Sequence, residues 1–197
     1  SESAQYAEAR EAAERAVELA PEVADGWTML GTVLAGALEP EKARDAFAKA
    51  LQLKPLQPRV LLSMGHVEKT IGDSRASEIA YDEAFRIDPS LGEAMWSKAD
   101  LKTHKFRPEE IEAMNHQLCK DISNKSDVAA FHFALGKAFE DDQAYELSFS
   151  HYQSGNAIKA EIEPFPMEEF KSRNKQIRSA FSSPPESVKG CLLYTSP

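Results

Sequence analysis

The side chains able to do chemistry are few and scattered. Five histidines, His66, His104, His116, His132 and His151, fall at no metal-ligand spacing. His132 and His151 would lie on the two paired helices of one unit and could approach each other. Two imidazoles fall short of the three protein ligands that a catalytic zinc takes. The acidic run Glu140-Asp141-Asp142 is best read as a solvated turn between helices, because a hard cation needs more oxygen ligands than it offers. Cys119 and Cys191 are far apart and outside any CxxC pattern, which supports neither a disulfide framework nor a zinc site. Cys119 borders the apolar stripe Ile111–Leu118 and is expected to be a reduced, partly buried thiol. No GxxxxGK(S/T), GxGxxG, GxSxG, HExxH or EF-hand loop occurs. No complete catalytic site is legible, so no catalytic, cofactor-binding or metal residue is assigned and the chain alone is not expected to be an enzyme.

The elements that carry these residues are helical. The 197 residues are 42% hydrophobic and 28% charged, the mix of an ordinary globular chain. A formal net charge of −9 repels a phosphate backbone, so nucleic acid is not an expected partner. No apolar run approaches the roughly 18 residues of a membrane span. The two unpaired cysteines fit a reducing compartment, and a cytoplasmic location is the expectation. The chain opens without an initiator Met inside a helical pattern, which reads as a fragment.

One period runs through the chain. Pro21, Pro55 and Pro89 are spaced 34 residues apart, as are Ala16, Ala50 and Ala84, and Trp27, Leu61 and Met95. Gly31 with Gly65, and Phe47 with Tyr81, keep the same spacing. Several independent position types sharing one period signal a repeat architecture.

The period and residue types resemble the tetratricopeptide repeat (TPR) family, whose unit is a helix–turn–helix. The clearest unit, 24–57, carries Trp27, Leu30, Gly31, Leu34, Ala43, Phe47, Ala50 and Pro55 on the family's positions, with Leu34 where a Tyr is usual. Unit 58–91 carries Leu61, Met64, Gly65, Tyr81, Ala84 and Pro89, with Ser77 at a position that is usually Ala and a turn at Gly72-Asp73. Residues 1–23 supply only a second helix. Unit 92–127 is degenerate: Trp96 is one position out of phase, Lys98-Ala99 replaces Leu-Gly, and the closing Pro is absent. Helix is still expected there over Met95, Ala99 and Leu101, and again from Pro108 through Leu118, with a polar break at Asn124–Asp127. A last unit, 128–162, uses Leu135, Gly136, Phe139, Tyr152 and Gly155.

The resemblance implies an all-α, right-handed α-solenoid over residues 1–162. Glu163–Pro166 breaks the array, and a helix within 163–182, about Met167–Phe181, either caps it or links it to a further domain. Residues 183–197 are expected to be a disordered tail. Residues 191–197 resemble a translated sequencing-adapter tail; a native flexible tail is the alternative.

The same resemblance implies a concave groove lined by the first helix of each pair. By phase, Arg59, Leu62, His66 and Lys69 point there, followed by Trp96 and Asp100, then Phe133, Lys137 and Glu140. Aromatic residues flanked by basic ones suit an extended protein or peptide segment. Thr28, Thr32, Leu62 and His66 stand where the chaperone-tail clamp of this family needs Lys and Asn, so that ligand is not expected. Core remains the preferred place for Trp96 itself.

A narrower resemblance covers Glu93–Met114 and Phe131–Glu161. Both stretches are similar to blocks of bacterial proteins that join a TPR array to a sulfotransferase domain using the sulfate donor PAPS (3′-phosphoadenosine-5′-phosphosulfate). That family binds PAPS with a strand and a PRSG(S/T)-type loop, which this chain lacks, so no catalytic residue carries over. Two functions follow for the parent: an interaction array attached to a sulfotransferase, or a stand-alone adaptor or oligomerisation scaffold.

Overall fold

Three of the repeated prolines act as stops. In the computed structural model, which describes residues 2–120 and 122–181, α1 (Glu2–Leu19), α3 (Pro40–Leu53) and α5 (Ser74–Ile87) each end two residues before a proline. The residue preceding proline is pushed out of helical geometry, so the helix closes there. Between them lie α2 (Ala24–Gly36) and α4 (Pro58–Ile71). They are followed by α6 (Gly92–Ala99), α7 (Pro108–Leu118), α8 (Lys125–Asp141), α9 (Tyr145–Ile162) and α10 (Met167–Ala180). All regular structure among the described residues is helical. The chain divides into a unit ending at Ile162 and a second beginning at Glu163. The expected tail, 183–197, lies outside the described residues.

Within the first unit, consecutive helices pack as antiparallel neighbours from α1 to α6, and α8 packs on α9. The pairs close where an aromatic ring of the second helix lies on a glycine of the first. A methyl group built on Gly31 would stand 2.7 Å from the Phe47 ring, on Gly65 2.3 Å from Tyr81, and on Gly136 2.8 Å from Tyr152. No real side chain fits at those distances, so only glycine lets the rings seat. Twelve residues after the glycine comes the small residue of the second helix. Ala43 is fully buried, while Ser77 and Ser148 donate their hydroxyls to the carbonyls of Gly65 (2.6 Å) and Gly136 (2.8 Å). The sequence shows Ser at a position that usually holds Ala; the structure shows why it is tolerated, since the hydroxyl finds an acceptor in the opposing helix.

The turns inside the pairs share a left-handed residue. Gly72 has φ of 98°, and Asp73 caps α5 by accepting from the Ala76 N–H at 2.9 Å. Leu38 and Gln143 adopt φ of 60° at the matching turns, a conformation that costs a side-chain-bearing residue about 1–2 kcal/mol.

The degenerate unit is not a helix pair. α6 is only eight residues long, Leu101 falls outside it, and α6 packs against α8 rather than α7. Gly92 makes this possible, because a methyl group there would lie 2.1 Å from the Asp127 carbonyl oxygen. The Asp127 carboxylate accepts from the Glu93 N–H at 3.1 Å and so closes the start of α6. Residues 125–127 are therefore helical, and the expected break at Asn124–Asp127 shrinks to Asn124, the cap of α8, whose side chain accepts from the Ser126 N–H at 3.1 Å. The acidic run straddles the end of α8: Glu140 and Asp141 close its last turn, and Asp142, the C-cap, opens the turn to α9. Cys119 is exposed rather than partly buried, because it caps α7 beyond its apolar side.

Lys98 stands where the repeat expects Leu, and it is fully buried. Its ammonium lies 2.5 Å from Asp82, 2.5 Å from Glu110 and 3.9 Å from Glu78. His104, nearly buried, reaches Glu78 at 2.8 Å and stacks edge-on against Phe106 at 4.8 Å. A buried ammonium is tolerable only when paired in this way. The cluster ties α5, α6, α7 and the 100–107 segment together where an apolar pair is missing.

In the second unit, the Phe165 ring meets Phe170 edge-on at 5.3 Å, and α10 leaves Met167, Phe170 and Ile177 about half exposed.

Burial alone would raise the Glu110 carboxyl, but hydrogen bonds from Lys98 and from the backbone and guanidinium of Arg107 outweigh it and bring it down to about 2. A carboxylate depressed by folding contributes stability above its ordinary value of 4.5 and loses it as pH falls toward about 2. Urea unfolding across that range should show the midpoint dropping steeply in the native chain and less steeply in Glu110→Gln. Equal slopes would mean that the Lys98 cluster does not carry this ion pair.

Candidate functional site

The first helices α2, α4, α6 and α8 present one row of side chains. α4 and α6 are joined by His66 Nε2 with Ser97 Oγ at 3.0 Å, and by Lys69 Nζ donating to Asp100 at 2.5 Å. The same face is lined by Thr32, Ser63 and Thr70, whose hydroxyls donate to the carbonyls of Thr28, Arg59 and His66 one turn back at 2.9–3.0 Å. Their oxygen lone pairs stay free to accept.

Two depressions open on this face. The first, of about 290 Å³, lies between α2 and α4 and is lined by Thr32, Ala35, Phe47, Ser63, His66 and Thr70. The His66 ring meets Tyr81 edge-on at 5.5 Å, and the resulting desolvation holds its imidazolium below the ordinary range. His66 is therefore a neutral, polar wall of the depression at neutral pH.

The second, of about 360 Å³, lies between α6 and α8 with Lys159 of α9 on its rim. Its wall is the pair Trp96–Phe133, ring centroids 5.5 Å apart and tilted by 48°. Met95 takes the in-phase core position and is buried, so Trp96, one residue on, is only partly buried and lines this opening. The preference for Trp96 in the core is thus met only in part. Phe133 is held from behind by Gly155, where a methyl group would stand 2.8 Å from its ring. Glu93, exposed, completes the rim.

The structure joins Lys69 to Asp100 and Trp96 to Phe133 and places His66 beside Ser97, but it puts other expected groove residues elsewhere. Leu62 is 5% exposed and packs with Tyr81, Ala84 and Leu91, so it is core and offers nothing to a ligand. It follows Leu61 onto the side of α4 that meets the next pair. Arg59 lines a separate depression with Asp88, Ser90 and Lys120, at the start of α4. Lys137 is engaged by Asp141 one turn on, and Glu140 accepts from the Tyr152 hydroxyl at 2.9 Å. Ser63 and Thr70, which line the first depression with Thr32 and His66, are the residues that the sequence reading missed; neither stands at a repeat position of Thr32 or His66, so only the assembled helix face shows them. His132 and His151 do approach, Nδ1 to Nδ1 at 3.1 Å. Among the described residues no group of three His, Cys, Asp or Glu side chains could hold a metal, and no helix is long and apolar enough to cross a membrane.

This architecture, helices paired by a glycine–aromatic seat and stacked in sequence, is that of a helical-repeat α-solenoid. The tetratricopeptide repeat family model matches residues 2–58, which span α1 to α3. The crystal structure of MamA is similar, with a TM-score of 0.63 and 15% identity over 83% of this chain and 94% of that one. A second crystal structure of MamA protein gives 0.61 and 14%, over 83% and 88%. The MamA RS-1 ArsTM double mutant gives 0.60 and 16%, over 81% and 88%. At such identities the likeness is one of fold. No curated protein matches the sequence.

Proposed function

We propose that the chain is a protein-interaction array that holds an extended peptide segment along the face formed by α2, α4, α6 and α8. The observation that carries this reading is the pair of open depressions of about 290 and 360 Å³ on one row of first helices. One offers hydroxyl and imidazole groups to a peptide backbone; the other offers the Trp96–Phe133 wall to an apolar or aromatic side chain. Tryptophan and other aromatics dominate binding energy at such surfaces.

A random-peptide library displayed on phage, selected against the full chain, tests it. Selected peptides, measured by fluorescence anisotropy, should bind Trp96→Ala and Thr70→Arg at least about tenfold more weakly. They should bind Ile79→Ser, altered on the exposed side of α5, as they bind the native chain. Peptides indifferent to both groove substitutions would overturn the assignment.

A narrower reading makes this array the N-terminal part of a PAPS-dependent sulfotransferase, presenting acceptors to a catalytic domain. What supports it is the resemblance of Glu93–Met114 and Phe131–Glu161 to that family. These 197 residues contain no PRSG(S/T)-type loop to cradle the donor, so no step involving PAPS falls to them. Sequencing the parent gene past the codon for Gly190 tests it. A strand followed by such a loop would establish the enzyme, and a stop codon or further helical repeats would leave a stand-alone adaptor.

A further inference from the structure

Behind the groove, α8 and α9 hold two imidazoles that the interaction reading does not use. The His132 and His151 Nδ1 atoms are 3.1 Å apart, with ring centroids 5.2 Å apart and planes tilted by 42°. Both rings are partly buried, and Phe139 stacks on His151 at 5.4 Å and 23°.

The separation suits a shared metal ion. With metal–imidazole bonds of about 2.0–2.1 Å, two nitrogens in adjacent positions lie about 2.9 Å apart on a square-planar ion and about 3.3 Å apart on a tetrahedral one. The observed 3.1 Å falls between these values. The fold also fixes the spacing. Phe133 seats on Gly155 and Tyr152 on Gly136, so the residues flanking both histidines lock the two helices together. Little ordering is left for an ion to impose. Without an ion, one Nδ1–H donates to the other Nδ1. Moving that proton to Nε2 of the same ring turns both Nδ1 lone pairs toward the gap without net proton release.

We infer that His132 and His151 form a two-imidazole chelate for a first-row divalent ion of the copper(II) class, clamping α8 to α9. No third protein ligand of the usual kinds joins them among the described residues, so water completes the coordination. That ligand set suits tetragonal copper(II), which also heads the affinity order for such sites, better than zinc, which takes three or four protein ligands.

The test is titration of copper(II) into the full chain at neutral pH in a non-coordinating buffer, followed by electron paramagnetic resonance and by thermal unfolding. One equivalent should bind with couplings from two imidazole nitrogens and raise the Tm. His132→Gln and His151→Gln should each weaken that equivalent at least about tenfold, while His116→Gln, altered at an exposed histidine, should retain it. The nitrogen count on the native chain needs no variant, so it stands even where a substitution harms folding. No bound equivalent, a signal from a single nitrogen, or a site that survives both substitutions would overturn the inference. None of these outcomes bears on the groove.

Discussion

The array depends on an aromatic ring resting on a bare backbone. Phe47 on Gly31, Tyr81 on Gly65 and Tyr152 on Gly136 repeat one contact at one offset within each complete helix pair. The contact sets how closely two helices approach, and this in turn sets which way the first helix faces. Tyr81 and Phe47 are essentially fully buried, so each ring adds a large apolar area to the core while fixing geometry. Because neighbouring pairs bury their faces only against one another, an error in one seat is passed along the stack.

The middle of the array shows what happens when that seat is absent. Ala99 takes the glycine's place, α6 stops after two turns, and α8 closes on α6 through Gly92 instead. Apolar packing is replaced by an ionic cluster around Lys98. Such a cluster adds little net stability, because desolvating the charges offsets their attraction, yet it is highly directional. Here it fixes the irregular 100–107 segment, and with it the end of α6. Beside it, Met95 keeps the in-phase core position and leaves Trp96, one residue on, against Phe133. The irregular unit thus supplies the most distinctive surface on the array.

Much of this was legible in the sequence, and the failures have physical causes. The 34-residue spacing of Pro, Ala and Gly fixes helix ends and pairs, because those residues act through backbone sterics that no tertiary context overrides. Phase also puts His66, Trp96 and Phe133 on the first helices, and the structure places them at the two depressions. Leu62 was misplaced because phase assigns an angle on a helix but not the position of the next pair, which covers that angle. Lys98 could not be foreseen as buried: its three carboxylates come from α5 and α7, at separations that no local pattern links. Arg59, at the start of α4, is drawn instead to a depression built largely by the turns after α5 and α7, which helix phase does not describe.

The most direct measurement is a double-mutant cycle on one seat, with denaturant unfolding of Gly65→Ala, Tyr81→Leu and the pair together. If ring and glycine fit as one contact, Gly65→Ala costs about 1–3 kcal/mol by overpacking and Tyr81→Leu about 2–4 kcal/mol by lost packing. The smaller Leu makes room for the added methyl group, so the double variant loses less than the sum by about 1 kcal/mol or more. Additive losses would contradict the account, since the helix pair would then close without the ring and the glycine acting together.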